Sequence, residues 1–439
     1  MGALIVVFTI LLFLLLIPTI KVKLDRMFYV LLGFIFCGLL VASLYNPYKL
    51  FNVSDYAYFI LFLGFGSFFL GYAISRSHIK RYPIHISDGQ NLLTFLNKNY
   101  LFWSVFFIAF GTILYMAVTQ WKVILFQGGL GNLKLDFFEL VFNNNSALYF
   151  FYQMVIFPLF HLSSIMFAYL MLNGGKKKYI ICFLLYAIIF SFVGGKRGYF
   201  AIIFEYYVIA FVVTKVSQGA GLWGLIRSSY KLILLAAFVY IAAAFMTSLS
   251  GGLDGDTDKL KESGAENAKN LVVYNIGAYR ALDYALNNDY LDKAGGYQLG
   301  RATLGGAIDY YGAGILNRLG IPIQPVRANT MSLLQNNSIY VGSETEFNYV
   351  YTAFMYFYFD FGVIGVVLFS FLFGWFVRYC MRLYSADKTI GSLGLICFLF
   401  LSSYQLTGSW FNVALSTQPT LLLFYYIRKK ELKYLKHAV

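Results

Sequence analysis

The chain has 439 residues, of which 59% are hydrophobic and only 12% charged, and its mean hydropathy is +0.67. No soluble domain of this length has that balance, so the chain reads as an integral membrane protein. A formal charge of +14 would suggest nucleic acid in a soluble protein. Here the placement of Lys and Arg in alternate loops accounts for it, and no nucleic-acid-binding motif accompanies it, which excludes that partner.

Hydropathy predicts an all-α polytopic bundle of about eleven membrane spans. The first eight are Ala3–Ile20, Met27–Leu44, Tyr56–Ile74, Leu101–Val118, Ala147–Leu172, Tyr179–Val193, Tyr199–Val213 and Leu232–Leu249. A polar segment follows at 251–348, then spans Tyr349–Val377, Ile390–Leu406 and Phe411–Ile427, and a basic tail at 428–439. Residues 1–250 therefore form one membrane region and 349–427 a second. Met1–Ile20 lacks a basic start and is long enough to span, so it reads as a first helix rather than a cleaved leader.

Charge sets the expected orientation. Of the 34 Lys and Arg, 21 fall in one set of alternate loops, among them Lys21, Arg26, Arg81, Lys176, Lys215, Arg382 and Lys430. The opposite short loops hold only Lys49, Lys122, Lys134, Lys196 and Arg197. The basic side is therefore expected to be cytoplasmic, with the N-terminus outside and the C-terminus inside. On that reading the polar segment and the Lys196–Arg197 corner share the outer face.

The polar segment contains helix-like runs such as NLVVYNIGAYRALDYALNN, and its composition favours order, a helical cap rather than a linker. Its DGDTD run, with Asp254, Asp256 and Asp258, lacks the glycine and glutamate of a calcium loop and reads as a solvated acidic turn. Cys37, Cys182, Cys380 and Cys397 lie in or beside apolar runs, which argues against a disulfide framework or a zinc site. No Walker loop, HExxH pair, GxSxG elbow or CxxC motif is present.

The sharpest feature is the pair Lys196 and Arg197 within the apolar run SFVGGKRGYFAIIFEYY. Only Tyr179–Val193 separates Lys178 from Gly194, ~15 residues or roughly 22 Å of helix, less than the ~30 Å hydrocarbon core. The two cations therefore stand at the far lip of a span, where a cavity and an anion suit them. Arg280, Arg301, Arg318 and Arg327 add cations on the same face. A guanidinium holds phosphate oxygens in pairs and keeps its charge when partly desolvated. The alternative is that these loop arginines pair with loop carboxylates.

Glu344 and Glu346 end the polar segment and are candidate general bases for a sugar hydroxyl, with Asp283 and Asp309 as further candidates. A solvated rim pair is the competing reading. Glu205 reads as a structural anchor within its span, and Asp360 in FYFDFGVIG as half of an internal ion pair.

Three runs together carry a resemblance: the corner FSFVGGKRGYFAIIF, the loop run YNIGAYRALDYALN with the glycine-rich run after it, and TEFNYVYTAFMYFYFDFGVIGVVLFSFLFGW. The chain resembles the O-antigen polymerase (Wzy-type) family of oligosaccharide repeat-unit polymerases, over roughly residues 180–376. The resemblance implies transfer of a growing glycan from undecaprenyl diphosphate to a new lipid-linked repeat unit, on the periplasmic face of the bacterial inner membrane. It implies no metal or other cofactor. The implied partners are the lipid-linked donor and acceptor, membrane lipid, and a chain-length regulator protein. Arg197 matches the family's corner arginine, Lys196 stands beside it, and Arg280 and Arg301 are looser matches to arginines that hold diphosphate. Arg197, Glu344 and Glu346 are the catalytic candidates. The polar segment has no histidine, which argues against a ligase. A flippase for lipid-linked glycans is the alternative from another class; it would carry charge deeper in a central cavity and have shorter loops.

Overall fold

A computed structural model describes residues 1–75, 96–126, 146–193, 197–219, 257–307, 312, 316–317, 319–322, 333–334, 338–343, 345–347, 351–408 and 416–436. Among them the secondary structure is almost entirely helical, and eight helices are long and apolar enough to cross a membrane. The chain is an all-α, multi-pass membrane protein. Helices α1 (Gly2–Leu16), α2 (Lys23–Tyr45), α3 (Asp55–Ile74) and α4 (Tyr100–Phe126) match the first four predicted spans. Helix α5 (Ala147–Leu172) is the fifth. The sixth is α6 (Lys177–Val193), of 17 residues, and the seventh is α7 (Arg197–Ser217). The predicted span Leu232–Leu249 lies outside the described residues. Helix α8 (Thr257–Asn287) opens the polar segment, which is not wholly helical. It ends in a hairpin of β1 (Ile339–Tyr340) and β2 (Glu346–Phe347), with Ile339 opposite Phe347. Helices α9 (Ala353–Asp387), α10 (Ile390–Tyr404) and α11 (Thr417–Lys436) complete the chain.

Two helices differ in their bounds from the predicted spans. Helix α11 begins at Thr417 and continues through the predicted basic tail to Lys436, where Glu431 contacts another helix (below). Helix α9 starts four residues later than predicted and is broken at Phe361 and Gly362.

The chain folds as two compact units. The first holds α1–α3, α8, the hairpin, most of α9 and the end of α10. Helices in lipid gain little from burying apolar surface against one another, so close packing must hold them. Aromatic rings fill this core: Phe36 lies between Phe65 and Phe68, at centroid distances of 4.8 and 5.7 Å. Where α3 crosses α9 the backbones nearly touch. A Cβ on Gly71 would overlap the Phe371 carbonyl oxygen, and one on Gly374 would overlap that of Phe68. Ionic contacts close one end of the unit. Asp25, fully buried near the start of α2, lies 3.5 Å from both Arg378 Nε and Arg382 Nε of α9. Arg378 also donates to the carbonyls of Tyr72 and Ala73 at the end of α3.

The second unit holds α4–α7, the last residues of α9, the start of α10, and α11. Helix α5 is its core, with 78% of its most apolar stretch buried, against 22% for α4. Helix α5 carries a π turn at Tyr152–Ile156, directly before Pro158. Proline has no N–H to give the carbonyl four residues earlier, and the ladder slips by one residue to accommodate it. One turn on, buried His161 places Nδ1 2.6 Å from Tyr206 Oη of α7, within rings of Phe157, Phe160 and Phe398.

Glu431 of α11 is buried and accepts the N–H groups of Ile390 and Gly391 at 3.2 and 3.1 Å, so it caps the N-terminus of α10. Burial pushes its carboxyl up to about 8, against the pull of those two N–H groups. Since the folded value lies above that of an unfolded glutamate, folding takes up a proton between the two. The contribution is complete below pH 4.5 and lost as pH rises through about 8. Thermal unfolding in detergent from pH 5 upward is expected to show falling stability towards about pH 8, and Glu431→Gln is expected to flatten that dependence.

Candidate functional site

Helix α8 docks on the loop between α2 and α3, within the first unit. Arg280 is only 4% exposed. Its Nε donates to the Phe51 carbonyl at 2.9 Å and its Nη2 to that of Ser43 at 2.9 Å. Nη1 reaches Ser43 Oγ at 3.0 Å and the Ile276 carbonyl at 2.8 Å. The expected alternatives were a diphosphate or a loop carboxylate. Every one of these acceptors is instead neutral, and burial pulls the pKa of the guanidinium below its ordinary value. Arg280 therefore fastens the polar segment to the membrane helices. Asp283, one turn on, accepts from the backbone N–H of Ser54 at 3.2 Å and from its hydroxyl, at the N-terminus of α3. This places a candidate base in a helix cap. Tyr404 at the end of α10 donates to Asn275 of α8 at 2.8 Å.

Arg280→Ala is expected to lower thermal stability by about 1–3 kcal/mol, because the carbonyls of Ser43 and Phe51 lose their donors. Lysine cannot restore the fork, so Arg280→Lys is expected to recover little of it. Thermal unfolding of the purified variants checks both.

These contacts lie at the Tyr45 end of α2 and the Asp55 end of α3. The Asp25 cluster lies at the opposite ends of the same two helices, and Asp25 is about 18 residues or ~27 Å from Ser43 along α2. The polar segment thus meets the first unit at the end away from Lys21, Lys23 and Arg26.

The same end carries the break in α9. Phe361 has φ −147° and Gly362 φ 60°, ψ −141°, so the helix stops and restarts. Only glycine takes the second conformation without strain, and a Cβ there would also stand 3.0 Å from Tyr297 Oη. The glycine-rich run of the polar segment fills the gap. Gly295, Gly296, Leu299 and Gly300 all have positive φ, which coils the chain into a compact turn. Gln298 N–H donates to the Phe359 carbonyl at 2.8 Å, and Leu299 N–H to that of Asp360 at 3.3 Å. The Asp360 carboxylate, fully buried, accepts from Ala302 N–H at 2.9 Å and Thr303 N–H at 2.7 Å. Asp360 was expected to face a cation. It binds backbone donors instead, because the turn brings two free N–H groups to it.

Arg301 is carried between these anchors. Its N–H donates to the Gln298 carbonyl at 3.1 Å, and the residue is half-buried. Three residues before the break, the Tyr358 hydroxyl lies 3.3 Å from that of Tyr56, in the first turn of α3. The break is therefore at the rim of the span and not at its middle. The turn fixes the backbone of Arg301 at that end of the span.

The other predicted residues are placed less fully. Arg197 is the first residue of α7, in the second unit, next to the corner glycines. Glu346 is in β2. Lys196, Glu344, Asp309, Arg318 and Arg327 lie outside the described residues. Among the described residues no cluster of three His, Cys, Asp or Glu side chains could hold a metal ion. No family model, curated protein or solved structure matches the chain.

The strap through Asp360 was not foreseen. Its signal in the sequence was an aspartate directly before Phe-Gly inside an apolar run, together with an earlier cluster of glycines.

Proposed function

We propose that this protein lengthens lipid-linked glycans, joining oligosaccharide repeat units carried on polyprenyl diphosphate at the outer face of a bacterial inner membrane. The observation that supports the reading is the turn strapped into the break of α9, which holds the backbone around Arg301 level with the start of α3. A lipid diphosphate would put its charge at that depth, with its tail in the bilayer.

The step is a glycosyl transfer. The acceptor hydroxyl oxygen attacks the anomeric carbon of the donor glycan. The bond from that carbon to the diphosphate oxygen breaks, and polyprenyl diphosphate leaves with the electron pair. We assign to the Arg301 guanidinium the stabilisation of the charge that develops on the leaving group. A carboxylate, Glu344 or Glu346, takes the proton from the acceptor. Separately, on the resemblance of its corner, Arg197 is proposed to bind a lipid diphosphate. Arg280 is assigned to anchoring the polar segment, since its donors are engaged elsewhere.

A broken membrane helix also suits a translocator of lipid-linked glycans. Translocators place such breaks near the midplane, whereas this one is at the rim, which favours the transferase. Purified protein in liposomes loaded with the lipid-linked repeat unit separates the two. Lengthening of the glycan is expected; translocation without lengthening would overturn the proposal.

A further inference from the structure

The two sides of α11 differ sharply. On one side Arg428 Nε lies 2.6 Å from Asp387 Oδ2, and Glu431 takes the N–H groups of Ile390 and Gly391. These contacts fasten the helix to its own unit. The other side runs turn by turn through Leu422, then Tyr425 and Tyr426, then Lys429, Lys430 and Lys433. Leu422, Tyr425 and Tyr426 are 66%, 51% and 43% exposed. A cavity of about 620 Å³ opens beside this side, lined by both tyrosines, the three lysines, Leu432 and Arg428. Lys430 Nζ stands 5.4 Å from the centre of the Tyr426 ring. The carboxylates on the packed elements, Asp387 and Glu431, are both turned to other partners. Among the described residues none forms an ion pair with Lys429, Lys430 or Lys433.

We propose that this side of α11 binds the headgroup of an anionic phospholipid. The order apolar, aromatic, cationic along one helix face repeats the order hydrocarbon, interface, headgroup of a bilayer leaflet. Leu422 lies along an acyl chain, the tyrosines stand at the level of the ester groups, and the three ammonium groups surround the phosphate. A soluble polyanion would use the lysines but would leave Leu422 and Tyr425 in water. The site is independent of the glycan chemistry and lies in the second unit.

The test uses full-length protein in nanodiscs of phosphatidylcholine with a minor share of phosphatidylglycerol, and reads the retained lipid by native mass spectrometry. Wild type is expected to retain phosphatidylglycerol well above its share of the bilayer. Lys429→Gln/Lys430→Gln/Lys433→Gln changes only partly or fully exposed positions and is expected to weaken that retention about tenfold or more. Lys176→Gln/Lys177→Gln/Lys178→Gln removes the same charge from the start of α6 and is expected to leave it unchanged. Equal retention by wild type and the first variant, or equal loss in both variants, would overturn the site. A thermal shift with inorganic phosphate alone as large as that with phosphatidylglycerol would overturn the lipid assignment.

Discussion

Asp25→Ala is expected to destabilise the protein by about 3–5 kcal/mol, the cost of stranding buried charge when one partner of an ion pair is removed. Two guanidiniums share this one carboxylate at 3.5 Å, and Arg378 is almost wholly buried. The carboxylate also fixes where α9 lies against α2 and α3, since Arg378 reaches the last carbonyls of α3 from the same position. Thermal unfolding of the purified variant measures the loss. Adding Arg378→Met to Asp25→Ala removes one of the stranded charges and is expected to recover part of it, because apolar replacement of a buried pair is often nearly neutral. Unfolding of Asp25→Ala at the wild-type temperature would contradict the assigned role.

The largest expected effect on activity is at the strap. If Arg301 stabilises the departing diphosphate, Arg301→Ala is expected to slow glycan extension by about 10²–10³, the usual loss on removing one preorganised donor from a developing anion. Asp360 acts through Arg301 and is a positioning residue. Asp360→Asn turns a side-chain amide towards one of the two N–H donors that the carboxylate accepts, so the turn is released. Its loss is expected to approach that of Arg301→Ala, and the double variant to be little worse than either single one, as expected of residues acting as a unit. Losses that multiply would show that Asp360 has a separate role. Arg197→Ala is likewise expected to abolish long-chain product while the protein remains inserted. Polymer of normal length from that variant would remove Arg197 from the mechanism.

The membrane helices were legible in the sequence because lipid demands long apolar runs, and most predicted spans coincide with helices to within a few residues. Other features depend on partners far along the chain. Asp25 stands between Lys23 and Arg26 and reads as one more interfacial charge; only the packing of α9 shows why it is buried. Arg280 was recognised as a cation of the polar segment, but its fate depends on the carbonyls of Ser43 and Phe51, which no local pattern announces. The break in α9 has a local trace in Gly362. Its consequence for Arg301 appears only when the turn at 295–303 is seen seated in it. The tail at 428–439 was read by charge as a basic tail; that Glu431 within it caps the N-terminus of α10 depends on a partner some 40 residues away.

The claim that a lipid diphosphate meets the chain at Arg301 is tested most directly by photocrosslinking. A photoreactive residue placed at position 301 of the full-length protein is irradiated with a glycan on radiolabelled polyprenyl diphosphate. A crosslink at 301 that excess unlabelled lipid-linked glycan displaces, and that polyprenyl monophosphate displaces poorly, is the expected result. Labelling at 301 that neither compound displaces, or labelling confined to the Asp25 end of the helices, would contradict it.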